Sequence, residues 1–328
     1  MGPRVITYSK NVFLPLTTVC HNRCGYCIFR TPVQEGCLMS PAEADSVLAR
    51  GASLGCTEAL FTFGERPGLE PGFSDLILKS GYRDILDYCH DLCLRALEYG
   101  ILPHTNAGVL TCGELDYLRE VNASMGLMLE TTASLEAHRL SPGKDPAVRI
   151  GMIEDAGRLK IPFTTGLLLG IGETMEDREE SLTVIRDLHR RHGHIQEVIL
   201  QNFCAKPGTA MAGSGGIGTD EMCTVIMMAK EILPPEIAVQ IPPNLAEARQ
   251  LIPCGVDDLG GISPLTIDYV NPEHPWPEIE RLQEIAGDCV LRERLCLYPR
   301  YLEKGWYPPR LEPLIRRLDQ HMRREEKA

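Results

Sequence analysis

The sequence predicts an α/β fold: a (β/α)8 barrel of the TIM type with a C-terminal helical extension. Two observations lead there. Short apolar runs alternate with longer segments of helical period along the chain, which is the signature of parallel βα units. Eight such units fit into roughly the first 290 residues, close to the usual size of this barrel. Periodicity does not say whether the first and last strands pair, so an open doubly wound sheet is the structural alternative.

The elements follow in order. An apolar run from Asn11 to Thr17 is the first strand and leads into a cysteine-bearing loop. Ser40 as N-cap, Pro41 at N1 and Glu43 at N3 form a capping box that opens the first helix, which ends near Gly51 or Gly55. "EALFTFGE" is the second strand and ends at Gly64. A helix from about Tyr82 to Tyr99 stops at Gly100, and "ILPHTNAG" is the third strand. Residues 111 to 121 are helical, "ASMGLMLET" is the fourth strand, and a helix covers about Pro146 to Lys160. "IPFTTGLLLG" is the fifth strand. Thr174, with Asp177 three residues on, caps a helix from about Met175 to Arg191. "IQEVILQNF" is the sixth strand, residues 219 to 233 are helical, "EIAVQIPPN" is the seventh strand, and a short eighth strand is expected around 251 to 254. Residues 1–290 are thus read as the barrel. Residues 291–328 are read as a helical extension and frayed tail of the same domain.

A hydrophobic share of 44% and a charged share of 24% are ordinary for a globular protein, which argues against disorder. The formal charge of −12 repels phosphate backbones, so no nucleic-acid partner is expected; only Arg323, Arg324 and Lys327 make a short basic run. No apolar run approaches membrane-spanning length and no signal-like stretch opens the chain, so no membrane partner and a cytoplasmic location are expected. Most of the 13 cysteines should then be reduced. Isolated ones such as Cys56, Cys223 and Cys289 are expected as small buried apolar residues. Cys89 and Cys93, one helical turn apart beside His90, sit among leucines and are expected in the core.

Cys20, Cys24 and Cys27 stand apart from these. They occupy "CHNRCGYC", a polar loop directly after a strand and poor core material. Structural zinc would want four ligands, for which Cys37 is near and His21 lies inside the loop. Thiolates also suit iron–sulfur clusters, normally held by four cysteines; three ligands leave one iron open for a substrate.

Cys-x3-Cys-x2-Cys, with the aromatic Tyr26 before the last cysteine, resembles the signature of the radical S-adenosylmethionine (SAM) superfamily. The resemblance implies a [4Fe-4S] cluster on Cys20, Cys24 and Cys27, with SAM on the open iron as a source of 5'-deoxyadenosyl radical. The glycine of "FGE", Gly64, permits close backbone approach, and Glu65 can accept hydrogen bonds from an ammonium group. The family places such a carboxylate at the methionine amine. Glu130, closing the fourth strand, could accept from ribose hydroxyls. Arg149, early in its helix, suits a bidentate clamp, and the resemblance aims it at the methionine carboxylate. "GLLLGIGET" resembles the family's adenine-packing segment, with Gly170 and Ile171 in contact.

"FTFGERP" and "GVDDLGGISPLTIDYVNPEHPWPEI", with the context of the first strand, narrow the resemblance to the branch that forms a deazaflavin chromophore, first of two subunits. The implied activity is an ammonia-releasing radical lyase. It oxidises the adduct of a p-hydroxybenzyl group with a ribitylated diaminouracil and closes the central ring. Its implied partners are this small-molecule substrate, a companion radical SAM subunit that supplies it, and a reducing electron donor. Candidate substrate contacts are Asn106, Gln201, Asn202 and Lys206. His104 is a candidate proton shuttle, and Asp257 and Asp258, in an ordered-looking loop, are candidate acid–base groups. A companion-like enzyme that couples tyrosine to the diaminouracil, an iron–sulfur electron carrier and a zinc-stabilised module are the alternatives.

Overall fold

Nine strands, all parallel, make up the single sheet of this computed structural model, which describes residues 3–36 and 38–325. They are β1 (Val5–Pro15), β2 (Glu58–Thr62), β3 (Leu102–Asn106), β4 (Ser124–Gly126), β5 (Phe163–Leu169), β6 (Ile195–Asn202), β7 (Ala238–Gln240), β8 (Asp258–Ile262) and β9 (Val290–Glu293). Neighbours run in sequence order from β2 to β8. β1 pairs with both β2 and β8 and closes the barrel. Closure decides between the predicted barrel and the open sheet.

Helices α1 (Pro41–Ser53), α2 (Phe73–Lys79), α3 (Ile85–Glu98), α4 (Cys112–Arg119), α5 (Pro146–Arg158), α6 (Met175–His192), α7 (Thr219–Ile232), α8 (Ala248–Leu251), α9 (Leu282–Ala286), α10 (Pro299–Lys304) and α11 (Glu312–Glu325) complete the described residues. The expected boxes cap α1 and α6: Ser40 with Glu43 and Thr174 with Asp177 each satisfy two orphan backbone donors. Cys89 and Cys93 are fully buried on α3, as expected. No helix among the described residues is long and apolar enough to cross a membrane.

Three strands and one cysteine differ from expectation. β1 starts at Val5, because its first half carries polar residues whose partners lie far along the chain. The eighth strand is not at 251 to 254, where Pro253 sits in a 3-10 turn, but at Asp258–Ile262. One aspartate and two glycines in five residues argue against a strand there. Tertiary contacts override that, since Asp258 is paired with a buried arginine and a Cβ on Gly260 or Gly261 would strike Gln240 or Asn11. β9 was not foreseen: it pairs with the lower end of β1 (Val5↔Val290) and ties the extension into the sheet. Finally, Cys223 is not a lone apolar thiol. It is disulfide-bonded to Cys254, 31 residues away, joining α7 to the turn before β8. Residue-by-residue reading is blind to such a pairing.

Candidate active site

The cysteine loop leaves the top of β1 and is held on three sides. Isolated bridges join Thr17 to Leu38 and Val19 to Thr31. The amides of Arg23 and Gly25 donate to the carbonyls of Leu140 and Ala137, and Gly143 N donates to Asn22 Oδ1. Gly64, just past β2, presses on the loop so tightly that a Cβ there would lie 2.0 Å from the Val19 carbonyl oxygen and 2.7 Å from Cys20 Cβ. Only glycine permits that approach.

All three cysteines are partly exposed and free. Glu65 N donates to Cys20 Sγ at 3.2 Å and Ser141 Oγ to Cys24 Sγ at 3.3 Å. Burial pushes the Cys20 thiol up to about 11 and raises that of Cys24, against which the Lys144 charge acts. Soft sulfur donors with hydrogen-bonded sulfurs suit an iron–sulfur cluster, whose charge such bonds stabilise. For the zinc alternative, His21 is occupied by Glu70 (Nδ1 to Oε1, 2.9 Å), and Cys37 lies outside the described residues.

Beside the loop lies a buried ionic group. Glu65 Oε2 accepts from Arg149 Nη2 at 3.3 Å, and Arg149 also donates from Nε to Gly143 O and from Nη1 to Met128 O. Arg149 is 2% exposed, so it is no surface helix residue, and its donors already hold Glu65 and two backbone carbonyls. Glu130 is held in the left-handed region, φ 69°, a conformation that costs a non-glycine residue energy and clusters at functional sites. Its carboxylate accepts from Lys144, His138 and the Tyr26 hydroxyl. Burial alone would raise its pKa, but Lys144, His138 and Arg149 bring it well below the usual carboxylate range.

Gly170, φ 95°, and Ile171 donate their amides to the two oxygens of Glu173, itself clamped by Arg178. The Ile171 side chain packs with Leu168 and Phe203, against which Tyr26 lies.

The barrel interior is not filled. A cavity with about 960 Å³ of empty space, its open mouth included, reaches from the mouth toward the floor. His104, the candidate proton shuttle, and the candidate substrate contacts Asn106 and Gln201 line it. Met128 joins the two regions, lining the cavity while its carbonyl takes Arg149.

Other expected contacts lie elsewhere. Both ends of the Asn202 amide are held by the Ile217 backbone, and Lys206 pairs with Glu273 outside the cavity. Asp257 accepts from Lys230 Nζ at 2.6 Å and Val239 N at 2.9 Å, on the outside of the barrel before β8. Asp258 is fully buried under the floor, where Arg294, Thr7 and Gly260 N occupy its oxygens. The acid–base role expected of these two aspartates is therefore corrected: their lone pairs are committed and neither lines the cavity. What looked like a mouth loop is the base of a strand.

Sequence reading passed over His138, Lys144 and Gly143 as well as Asn11, Glu58, Glu197 and Arg294 in the cavity wall. A run of cations, His138, Lys144 and Arg149, soon after a strand-end glutamate was the available signal for the first group. Acidic residues inside strands, Glu58 and Glu197, were the signal for the second.

The model of the Radical SAM superfamily matches residues 14–185. The 7,8-didemethyl-8-hydroxy-5-deazariboflavin synthase of Methanoculleus marisnigri is 71% identical over 97% of this chain and 96% of its own. That of Methanoregula boonei is 64% identical over 99% and 98%. The chain belongs to the radical SAM superfamily, in the 7,8-didemethyl-8-hydroxy-5-deazariboflavin synthase family. Among solved structures, methylornithine synthase (TM-score 0.67, 17% identity, 92% of this chain and 86% of that one) has the same fold. So does the FeFe-hydrogenase maturase HydG from Carboxydothermus hydrogenoformans (TM-score 0.68, 18% identity, 97% and 82%). A radical SAM chain uses a [4Fe-4S] cluster and SAM as its cofactors, and the open sulfur loop beside a polar, buried shell fits both.

Proposed function

We propose that this chain is a ring-closing radical SAM lyase. It oxidises the adduct of a p-hydroxybenzyl group with a ribitylated diaminouracil to 7,8-didemethyl-8-hydroxy-5-deazariboflavin, with release of ammonia. The observation that carries the reading is 71% identity, end to end, with a synthase of that name. The cavity supports it, being lined by the amides, carboxylates and ring faces that suit a polar, three-part substrate.

In this reading Cys20, Cys24 and Cys27 would hold the cluster, which together with SAM would supply the radical chemistry that oxidises the substrate. Glu65, oriented by Arg149 and confined by Gly108 and Gly143, receives the methionine amine. Glu130, oriented by Lys144 and His138, faces the ribose, and the Ile171, Phe203 and Tyr26 cluster flanks adenine. Asn106 and Gln201 present amides to the uracil edge at the cavity mouth. Arg149 acts as the positioning residue for Glu65, since its donors are already engaged. A companion radical SAM subunit supplying the adduct, a low-potential electron donor and a cytoplasmic location complete the proposal.

The test is anaerobic incubation of the reconstituted protein with reductant, SAM and preformed adduct. Fluorescent deazaflavin, 5'-deoxyadenosine and ammonia should rise together. Product from tyrosine plus diaminouracil but not from the adduct would reassign the chain to the coupling step. No 5'-deoxyadenosine at all would leave an electron carrier.

A further inference from the structure

We propose that Asn11, Glu58 and His104, on three successive strands, form a subsite for a polyol, the ribityl tail of the substrate, in the lower part of the cavity; this rests on the function proposed above. All three residues line the cavity. Asn11 and Glu58 are register partners on β1 and β2, and β3 places His104 beside Leu60, two residues along β2 from Glu58.

Each offers an acceptor without a protein partner among the described residues. Asn11 is 2% exposed, yet its Oδ1 is buried and makes no hydrogen bond. A buried orphan acceptor is costly, and because Asn11 stands in the cavity wall, a rotation of its amide toward the cavity would bring Oδ1 to a ligand donor. Glu58 uses Oε2 for the Ser9 hydroxyl at 2.5 Å and leaves Oε1 unpaired. For His104 the tautomer follows from its neighbours. Ser124 Oγ donates its one proton to the Cys296 carbonyl at 2.7 Å, so the 2.7 Å contact from His104 Nδ1 to the same oxygen has Nδ1–H as donor. A neutral ring, favoured by burial, then carries its lone pair on Nε2, which lies beside Gly126 in the cavity wall.

Three acceptors spread over strands spaced about 4.8 Å apart call for several donors along a flexible chain. A row of hydroxyls provides this; a rigid ureide ring, with one or two N–H groups on one edge, spans less. The mouth, where Phe13 and Trp276 supply ring faces, is left to the aromatic parts.

The experiment compares kcat/KM of the holoenzyme for the natural adduct and for an analogue whose tail is a plain pentyl chain. Wild type should prefer the natural adduct by about 100-fold or more, since unmet buried acceptors penalise a ligand lacking hydroxyls. Asn11→Ala and Glu58→Met should each shrink that ratio by about tenfold, mainly through loss on the natural adduct. Glu58→Gln, which keeps one acceptor and the side-chain volume, should restore part of it and carries the test if Asn11→Ala does not fold. Equal losses on both adducts, with the ratio unchanged, would overturn the subsite alone. Deazaflavin from neither adduct with wild type would overturn the proposed function, and the subsite with it.

Discussion

Gly64 and Glu130 illustrate how single residues govern the cofactor end of the barrel. A methyl group on Gly64 would have to displace the Val19 carbonyl and the Cys20 side chain, and a carbonyl in a packed loop does not yield cheaply. Gly64→Ala should therefore reconstitute with clearly less iron and sulfide per chain than wild type, by chemical assay, while circular dichroism shows the barrel intact. Glu130 is the shared partner of Lys144, His138, Arg149 and Tyr26. Glu130→Gln leaves a buried ammonium without its countercharge, and breaking a buried pair from one side costs about 3–5 kcal/mol. Urea titration should show a fall of that order, and Lys144→Met in the same background should recover part of it.

At the scale of elements, the start of β6 carries a pH sensor of stability. His194 is fully buried, donates Nε2–H to the Ile153 carbonyl and leaves Nδ1 without a partner, so nothing compensates a second proton. Burial first, and then the charges of His189 and His192, push its pKa down from 6.5 to about 3. Between those values the unfolded chain takes up a proton that the folded chain refuses. The stabilisation is complete above the unfolded pKa and is lost as pH falls through this window. At about pH 5 the loss from this residue is on the order of 2 kcal/mol. His189, pushed down to about 4 by burial and Arg300, acts in the same direction. The urea midpoint should drop on acidification, and His194→Gln should flatten part of that drop; an unchanged slope would refute the account.

For the whole molecule, the floor of the barrel is where the C-terminal extension is fastened. β9 extends the sheet, and Arg294 just beyond it reaches inward to Asp258 (Nε to Oδ2, 2.6 Å) and Glu197 (Nη2 to Oε2, 2.8 Å) while its ring neighbour Tyr298 donates to Glu197 at 3.0 Å. Cys296 O receives Ser124 and Gln196. Two buried carboxylates of the barrel floor, Asp258 and Glu197, thus share one cation that comes from beyond the sheet's eighth strand. Arg294→Met should destabilise the fold by about 3–5 kcal/mol, read from the urea midpoint, and should loosen the floor of the substrate cavity, raising KM for the adduct more than it changes 5'-deoxyadenosine formation without substrate.

What could be read without coordinates was local in cause. Helix caps at Ser40 and Thr174 show because their hydrogen bonds span three residues. The strands β2, β3, β5 and β6 show because apolar runs bounded by turns need no distant partner to be recognised. The cysteine loop shows because its ligands are packed into eight residues. Glu65, Glu130, Gly170, Asn106 and Gln201 were reachable because a parallel barrel puts every strand end on one face. Tertiary structure alone decided the rest, since it depends on groups far apart in sequence. β8 is a strand despite its aspartate because Arg294, 36 residues on, neutralises Asp258. Asp257 is turned outward to Lys230, Arg149 is spent on Glu65 and backbone carbonyls, and Asn11, unremarkable in a strand, becomes an unpaired acceptor once the barrel closes around a cavity. Sequence by itself determined the cluster loop and the succession of parallel βα units, and the pairing of β1 with β8 closed them into a barrel. Long-range pairing of buried charges determined which polar residues remain free to meet a substrate, because in a low-dielectric interior a charged side chain goes first to its counter-ion.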